Sequence, residues 1–483
     1  MDKGISIIIP CHYQWEYVEE CLESVLQQRM DSGIQNQVIC VYNEAYDKDN
    51  NLLNRLKAQR GIDLVLNYHG YGQNRKLGNY GAASARNTGL SHVKKDTVMF
   101  IDDDDKIGWT PAKNGKKEGF DPYYLQHFYD VLQQPNITYD DKIVLGYNKP
   151  VSMVTGDIIK TEIYEKYGLD TDTFTNYDCI PSSWLKNKRP FTLDKVLQFL
   201  NGRNSSCAVL YRTDIINKYN LKFNTDLRYH EDTDFVMRYA LSASYEHKYI
   251  LATVSQLKRP EWPESYYWYR KNTASVMGET NQISDKKWSS ITRQADDSLF
   301  YYASMMETVK NREDLGMSSQ IYRRLSMDFR STVRKVQEHL ESIATSDNPI
   351  RPEPQNAQKL VEMSQILPEH CLTCKILYNT EKDACLSCPF GNGGPGGASD
   401  SGTTTCNTLP EATDEYLKLR QAQNRARKFD DAAQYLSELL HNWQKKQRST
   451  LQPHLLYGLS KKELADLSAI IAKEIKKRDE HTK

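Results

Sequence analysis

Gly81-Ala82-Ala83-Ser84-Ala85-Arg86-Asn87-Thr88-Gly89-Leu90, followed by Val98-Met99-Phe100-Ile101 and then Asp102-Asp103-Asp104-Asp105, is the stretch that decides the fold. Four consecutive carboxylates directly after a short apolar strand repel one another unless they spread into solvent or share a cation. The end of a buried strand is a fixed, partly dehydrated place to hold that cation. Hard divalent ions such as Mg²⁺ or Mn²⁺ take oxygen ligands and leave room for phosphate oxygens and water. The stretch therefore reads as a metal-diphosphate site; the plain alternative is a solvated acidic turn.

Working outward, Ile5 to Ile9 is a β-branched stretch stopped by Pro10, and Tyr17 to Gln28 places Val18, Cys21, Leu22, Val25 and Leu26 at helical spacing. Further apolar runs lie at Val38 to Val41, at Asp63 to Leu66 and at Val98 to Ile101. Short strands alternating with amphipathic helices predict an α/β fold, a Rossmann-like mixed sheet with helices on both faces. Ligands in such folds sit beyond the carboxyl ends of the strands, where Asp102 to Asp105 lie.

These boxes resemble the family 2 glycosyltransferases of the GT-A fold. The matching residues are Ile7-Ile8-Ile9-Pro10, Gly81 through Leu90, and Phe100-Ile101 with the Asp-x-Asp motif in Asp102 to Asp105. The likeness continues in Cys207 to Tyr211, Phe223 and His230-Glu231-Asp232-Thr233-Asp234-Phe235, which is similar to the box that supplies the family's catalytic base. It ends at Tyr266-Tyr267-Trp268-Tyr269-Arg270 with Ser275, at about residue 280. The resemblance implies a nucleotide-sugar donor held by Pro10, Asn43, Arg86, Asn87, Asp102, Asp103, Arg270 and Ser275, and Mn²⁺ or Mg²⁺ on Asp102 and Asp104. Two departures stand out. Asn43 occupies the place where many relatives read the base with Asp, so a UDP-sugar is expected and other bases stay open. Cys11-His12-Tyr13 follow Pro10 where the family usually has Asn.

The same chemistry can be argued from the residues. A departing nucleoside diphosphate needs its charge neutralised, and a divalent ion on Asp102 and Asp104 would do so. An acceptor hydroxyl needs a positioned base, for which Asp232 is the candidate, with Glu231 orienting it or sharing its proton. Asp232 also reads as the N-cap of the amphipathic helix carrying Phe235, Val236, Tyr239 and Ala240. One carboxylate opposite the leaving group implies single displacement with inversion. His230, Trp184 and Trp262 are candidate acceptor contacts, and the acceptor is a glycan, lipid carrier, protein or nucleic acid. The aromatic group Trp262, Tyr266, Tyr267, Trp268 and Tyr269 suits sugar stacking, with core packing as its alternative.

The chain has 483 residues, enough for two or three domains, with 63 Lys plus Arg against 63 Asp plus Glu, so no global basic field draws it to nucleic acid or anionic membrane. No apolar run approaches the roughly 20 residues of a membrane span, and Met1-Asp2-Lys3-Gly4 runs straight into the first strand, so a cytoplasmic protein without a leader is expected. We divide it into a GT-A domain at 1–285 with an acceptor-side insertion at 106–200, a helical region at 286–350, a cysteine module with a Gly-rich linker at 351–410, and C-terminal helices at 411–483. Cys371-x-x-Cys374 and Cys385-x-x-Cys388 have the pairing of a structural four-thiolate zinc ribbon, with Cys406 as a substitute ligand. Cys11, Cys21, Cys40, Cys179 and Cys207 read as buried thiols. Three alternatives stay open: transfer to a hydroxymethylated nucleic-acid base, nucleotidyl transfer, and a non-catalytic binding role.

Overall fold

The computed structural model describes residues 1–12, 15–43, 51–67, 81–110, 119–133, 142–145, 148–152, 192–203, 206–207, 209–245, 250–253, 266–271 and 285–344, with the helical residues 414, 416–418 and 420–422. In chain order the elements are β1 (Asp2–Cys11), α1 (Trp15–Leu26), β2 (Gln37–Asn43), α2 (Asn51–Ala58), β3 (Asp63–Asn67), α3 (Ala82–Leu90) and β4 (Lys95–Phe100). Then come β5 (Lys106–Thr110), β6 (Gly119–Phe120), α4 (Tyr124–Gln133), β7 (Lys142–Leu145), β8 (Asn148–Ser152), α5 (Leu193–Arg203), β9 (Val209–Arg212) and α6 (Thr213–Lys218). The last are α7 (Glu231–Ala243), β10 (Ile250–Thr253), β11 (Tyr266–Lys271), α8 (Asp285–Lys310) and α9 (Gln320–Ala344).

A seven-stranded sheet runs β10-β7-β9-β4-β1-β2-β3, and a four-stranded sheet runs β6-β5-β11-β8. The first is mixed as expected, because β9 pairs antiparallel with both β4 and β7 while β1 pairs parallel with β2 and β4. Alternation along β1 divides the core. Ile5, Ile7 and Ile9 pack with α1, α2 and α4, whereas Ile8 joins Ile39, Val41, Val98 and Phe100 beneath α3, α7, α8 and α9. That second cluster contains Leu299, Leu325, Tyr416 and Leu417, so the core continues without a break across residue 285.

Pro10 does not stop the first strand. It lies buried inside β1, opposite Val41. Two residues earlier the Ile8 carbonyl accepts the Ile101 N–H at 3.1 Å, so the missing proline N–H faces the side on which β4 has already ended. Within the helical region expected at 286–350 the described residues form two helices, parted by a turn in which Gly316 takes φ 64°. Cys11, Cys21, Cys40 and Cys207 are buried thiols outside any disulfide, as expected. Among the described residues no helix is long and apolar enough to cross a membrane.

Gly89 explains the glycine of the Arg86-Asn87-Thr88-Gly89 box. A Cβ there would lie 2.4 Å from Ile8 Cγ2 and 3.2 Å from Val41 Cγ2, because α3 rides directly on β1 and β2. Gly89→Ala should therefore lower stability by about 1–3 kcal/mol, the usual range for overpacking. The check is the denaturant midpoint; an unchanged midpoint would mean that α3 lifts off the sheet without loss.

Candidate active site

Six parts of the chain meet at the carboxyl ends of β1 and β4: His12 after β1, the Asp102–Asp105 turn after β4, Arg86 of α3, Ser206 before β9, the first turn of α7, and Tyr267 of β11. Arg86 is at the centre. It is 2 % exposed, far from the solvated outer face of a helix. One terminal nitrogen donates to Asp102 Oδ1 at 2.8 Å and the other to Asp232 Oδ1 at 2.8 Å, with Glu231 Oε1 at 3.5 Å. Its guanidinium lies 5.2 Å from the ring centroid of Phe223, which stacks on Phe235 at 4.1 Å. Burial disfavours its charge, yet Asp232, Asp102 and Glu231 together raise its pKa well above the ordinary value. Arg86 thus joins the strand-end carboxylates to the α7 carboxylates, a link that no spacing in the sequence announces.

The four aspartates have different surroundings. Asp102 keeps 31 % of its side chain exposed, and its N–H donates to the Tyr267 hydroxyl oxygen at 3.2 Å. Asp103 is buried and accepts the His12 N–H on Oδ2 at 2.6 Å, with the His12 ring Nδ1 3.3 Å from Oδ1. Burial opposes the His12 charge, but Asp103, Asp104 and Asp102 outweigh it and push the imidazole up to about 9. Asp104 is 8 % exposed; burial, then Asp103 and Asp102, push its carboxyl up to about 8. Asp105 accepts the Tyr267 hydroxyl at 2.6 Å. The solvated acidic turn is therefore excluded, since three of the four carboxylates are buried.

Does this donor set fit a divalent ion? Its carboxylate oxygens are hard ligands, and the crowding that drives Asp104 to hold a proton near neutral pH is what a cation relieves. Among the described residues no three His, Cys, Asp or Glu side chains form a ready metal cage. Mg²⁺ is ordinarily held by one or two carboxylates plus substrate phosphates and water, so Asp102 and Asp104 fit that pattern.

At the start of α7 the N-cap residue is His230, in the left-handed region at φ 67°, and its side chain makes no capping bond. Asp232 is one residue inside the helix and bonds away from it, to Arg86 and to the Ser206 hydroxyl at 2.7 Å, so it is not the N-cap. Burial raises the pKa of Asp232, with Arg86 opposing, while burial and Asp232 push Glu231 up to about 8. A non-glycine residue in the left-handed region costs about 1–2 kcal/mol, so the His230 bend has to be held from outside. His230 Nε2 pairs with Ser298 Oγ at 2.8 Å and its ring stacks on Tyr301 at 5.1 Å. Burial, then Lys335, lower its pKa to about 4. The candidate acceptor contact His230 is thus tied by its ring to α8.

Other expected residues fall variously. Asn87 bonds both ways with the Phe223 backbone, at 2.9 and 2.7 Å, and so fastens α3 to the segment before α7. Tyr267 is fully buried and hydrogen-bonded to Asp105, so in the aromatic group it serves packing and the acidic turn, not sugar stacking. Asn43 and Arg270 lie in β2 and β11. Trp184, Trp262, Ser275 and the Cys371, Cys374, Cys385, Cys388 set lie outside the described residues. Sequence reasoning missed His12 and Ser206 as parts of the site, the displaced box after Pro10 being the signal for the first, and it read Tyr267 in the aromatic group without its bond to Asp105. A groove of about 880 Å³ runs along edge strand β3, between Asp63 and Lys94, and contains none of these carboxylates.

Residues 6–108 match the model of glycosyl transferase family 2. The chain is 29 % identical over 104 residues to a poly(ribitol-phosphate) beta-glucosyltransferase of Bacillus spizizenii, covering 22 % of this chain and 15 % of that protein. It is 24 % identical over 235 residues to a teichoic acid poly(glycerol phosphate) polymerase of Staphylococcus epidermidis, covering 49 % of this chain and 26 % of that one. The chain thus spans about a quarter or less of the length of these curated relatives. Among solved structures, S. aureus TarS 1-349 in complex with UDP-GlcNAc gives a TM-score of 0.44 at 14 % identity, covering 88 % of this chain and 92 % of that one. The mannosyltransferase PcManGT from Pyrobaculum calidifontis in complex with GDP-Man and Mn²⁺ gives 0.36 at 13 % identity, covering 75 % and 79 %. Both scores lie below 0.5, and the fold assignment rests on strand order and the family match instead. Residues 6–108, which hold β1 through β4, Arg86 and the four aspartates, therefore carry the sequence signature of a family 2 glycosyltransferase.

Proposed function

We propose that the chain is an inverting glycosyltransferase that moves a sugar from a nucleoside-diphosphate donor to an acceptor hydroxyl. The observation that carries the reading is Arg86, whose two 2.8 Å bonds hold Asp102 of the donor side and Asp232 of the base side in one frame. The family match over the donor half supports it. Asp102 and Asp104 would hold Mn²⁺ or Mg²⁺, which when bound supplies charge neutralisation of the departing diphosphate. Asp232 takes the acceptor proton as the acceptor oxygen bonds to the anomeric carbon and the bond from that carbon to the diphosphate oxygen breaks. The Arg86 and Ser206 side chains both bond Asp232 on Oδ1. Glu231, pushed up to about 8, carries the pair's extra proton near neutral pH, so that Asp232 can be the ionised member. Ser206 and Arg86 fix the carboxylate's angle.

A UDP-sugar is the first donor to try, and the named substrates of the curated relatives make a polyol-phosphate polymer the first acceptor class. The paired Cys-x-x-Cys spacing alone supports a structural zinc on Cys371, Cys374, Cys385 and Cys388.

The test is slow transfer to water from UDP-glucose, UDP-N-acetylglucosamine and GDP-mannose, with Mn²⁺ and again with chelator, on the wild type and Asp104→Ala. Hydrolysis of one donor, lost on chelation and reduced at least a hundredfold in Asp104→Ala, is the expected result. Equal hydrolysis with chelator would remove the metal from the proposal, and none with any donor in folded protein would remove the transferase.

A further inference from the structure

The transfer chemistry proposed above leaves α8 with nothing to do, yet its buried residues converge on the bend that aims α7. Asp297 is fully buried. Its Oδ2 accepts the Arg228 N–H at 2.9 Å and the Tyr229 N–H at 3.3 Å, together with Arg293 Nε at 3.0 Å. The next residue, Ser298, bonds the His230 ring, and Tyr301 stacks on that ring. Residues 228, 229 and 230 are thus all gripped by one face of α8, directly before Glu231 and Asp232.

The grip has a second layer. Arg420, from more than a hundred residues further along the chain, lies 2.9 Å from Asp296 Oδ2 and 3.3 Å from Asp297 Oδ1, and is 6 % exposed. The Tyr416 hydroxyl donates to Asp296 Oδ1 at 2.7 Å and to its carbonyl at 3.0 Å. Two adjacent buried carboxylates would repel each other without such a counter-charge. Arg420 and Arg293 supply it: burial raises the pKa of Asp297, and Arg293 and the Arg228 N–H oppose that rise.

We infer that Asp297, Ser298 and Arg420 are positioning residues of the transfer reaction: α8, clamped by the C-terminal segment, holds the left-handed turn at His230 and so sets where Asp232 points. The inference rests on the assignment of Asp232 as the base. It makes residues beyond 285, which lie outside the family match, part of the catalytic frame.

Kinetics on the full chain test it, using the donor that the wild type hydrolyses fastest. Asp297→Asn and Ser298→Ala should lower kcat, by at least tenfold and by several fold, while the Kd for the matching nucleoside diphosphate with Mn²⁺ stays within twofold. Arg420→Gln should behave like Asp297→Asn, and Arg420→Lys, which keeps the charge, should recover most of the loss. The deciding readout is non-additivity: in an Asp232→Asn background, Ser298→Ala and Asp297→Asn should cost no further rate, since there is no base left to aim. Losses that multiply in that background, or a wild-type kcat in Ser298→Ala and Arg420→Gln, would overturn the inference. Ser298→Ala removes one hydroxyl, so it keeps the test open if Asp297→Asn fails to fold. A normal kcat in Asp232→Asn alone marks the other failure, that of the base assignment, and the positioning role falls with it.

Discussion

Arg86→Met is expected to leave a protein that folds poorly at pH 8, folds better at pH 5, and has no measurable transfer at either. The substitution keeps length and removes the one charge shared by Asp102, Asp232 and Glu231. Breaking a buried pair by deleting one partner typically costs 3–5 kcal/mol; about 3 kcal/mol is the appropriate end here, because Asp102 keeps 31 % of its side chain in solvent. The pH dependence follows from the carboxylates. Burial already raises Asp232 and pushes Glu231 up to about 8, and loss of Arg86 raises both further. A carboxyl whose pKa is higher in the folded than in the unfolded state contributes stability that is fully present below the unfolded value, about 4. That contribution is lost as pH rises through the folded value. The stability deficit of Arg86→Met should therefore be small near pH 5 and grow toward pH 8, read as denaturant midpoints at the two values. Equal deficits at both would mean that the carboxylates do not feel Arg86. Arg86→Lys should recover part of the stability and little activity, since one ammonium cannot replace two nitrogens bonded to carboxylates on different elements.

Arg86 also marks where reading the chain from its residues succeeds and where it stops. The strands and the acidic turn were legible, because apolar runs with β-branched residues end abruptly in polar groups, and four adjacent carboxylates after a buried strand have few stable surroundings. The glycine in the Arg86-Asn87-Thr88-Gly89 box was legible as a motif, but its cause, contact with Ile8 81 residues away, required the helix to be placed on the sheet. Arg86 was read as a donor contact, and nothing local announces its carboxylate partners, which lie 16 and 146 positions distant. The Asn87 side chain, expected at a donor, pairs with a backbone 136 residues on. The His230 ring is a like case: a polar ring next to the Glu231-Asp232 box carries no local sign that it bonds a helix 68 residues later. Local patterns report which face is buried; they do not report which buried charges meet. Spacing therefore named the carboxylates and Arg86 separately, without the bonds from Arg86 and from the Ser206 and Tyr267 hydroxyls that join them.

Asp232→Asn should separate the two halves of the site. The amide keeps an oxygen for the Arg86 and Ser206 bonds, both of which fall on Oδ1 in the wild type, so the local frame survives. What is lost is the capacity to accept a proton. A positioned base contributes about 10²–10⁴-fold, and kcat should fall by that factor, while nucleoside-diphosphate affinity in the presence of Mn²⁺ stays close to that of the wild type. Asp104→Ala should do the reverse to binding, because its carboxylate belongs to the donor side. The pH profile adds an independent reading. The base works only when ionised, so kcat/KM must rise with pH, and burial of the Glu231–Asp232 pair puts that rise above the ordinary carboxylate range. In Asp232→Asn the rise should vanish from the residual rate. A wild-type limb near pH 4, or equal loss of donor affinity in Asp232→Asn and Asp104→Ala, would place the proton acceptor elsewhere. The division between a cation-holding turn after β4 and a base on α7 would then have to be abandoned, and Arg86 would be left joining two groups with a single, purely electrostatic task.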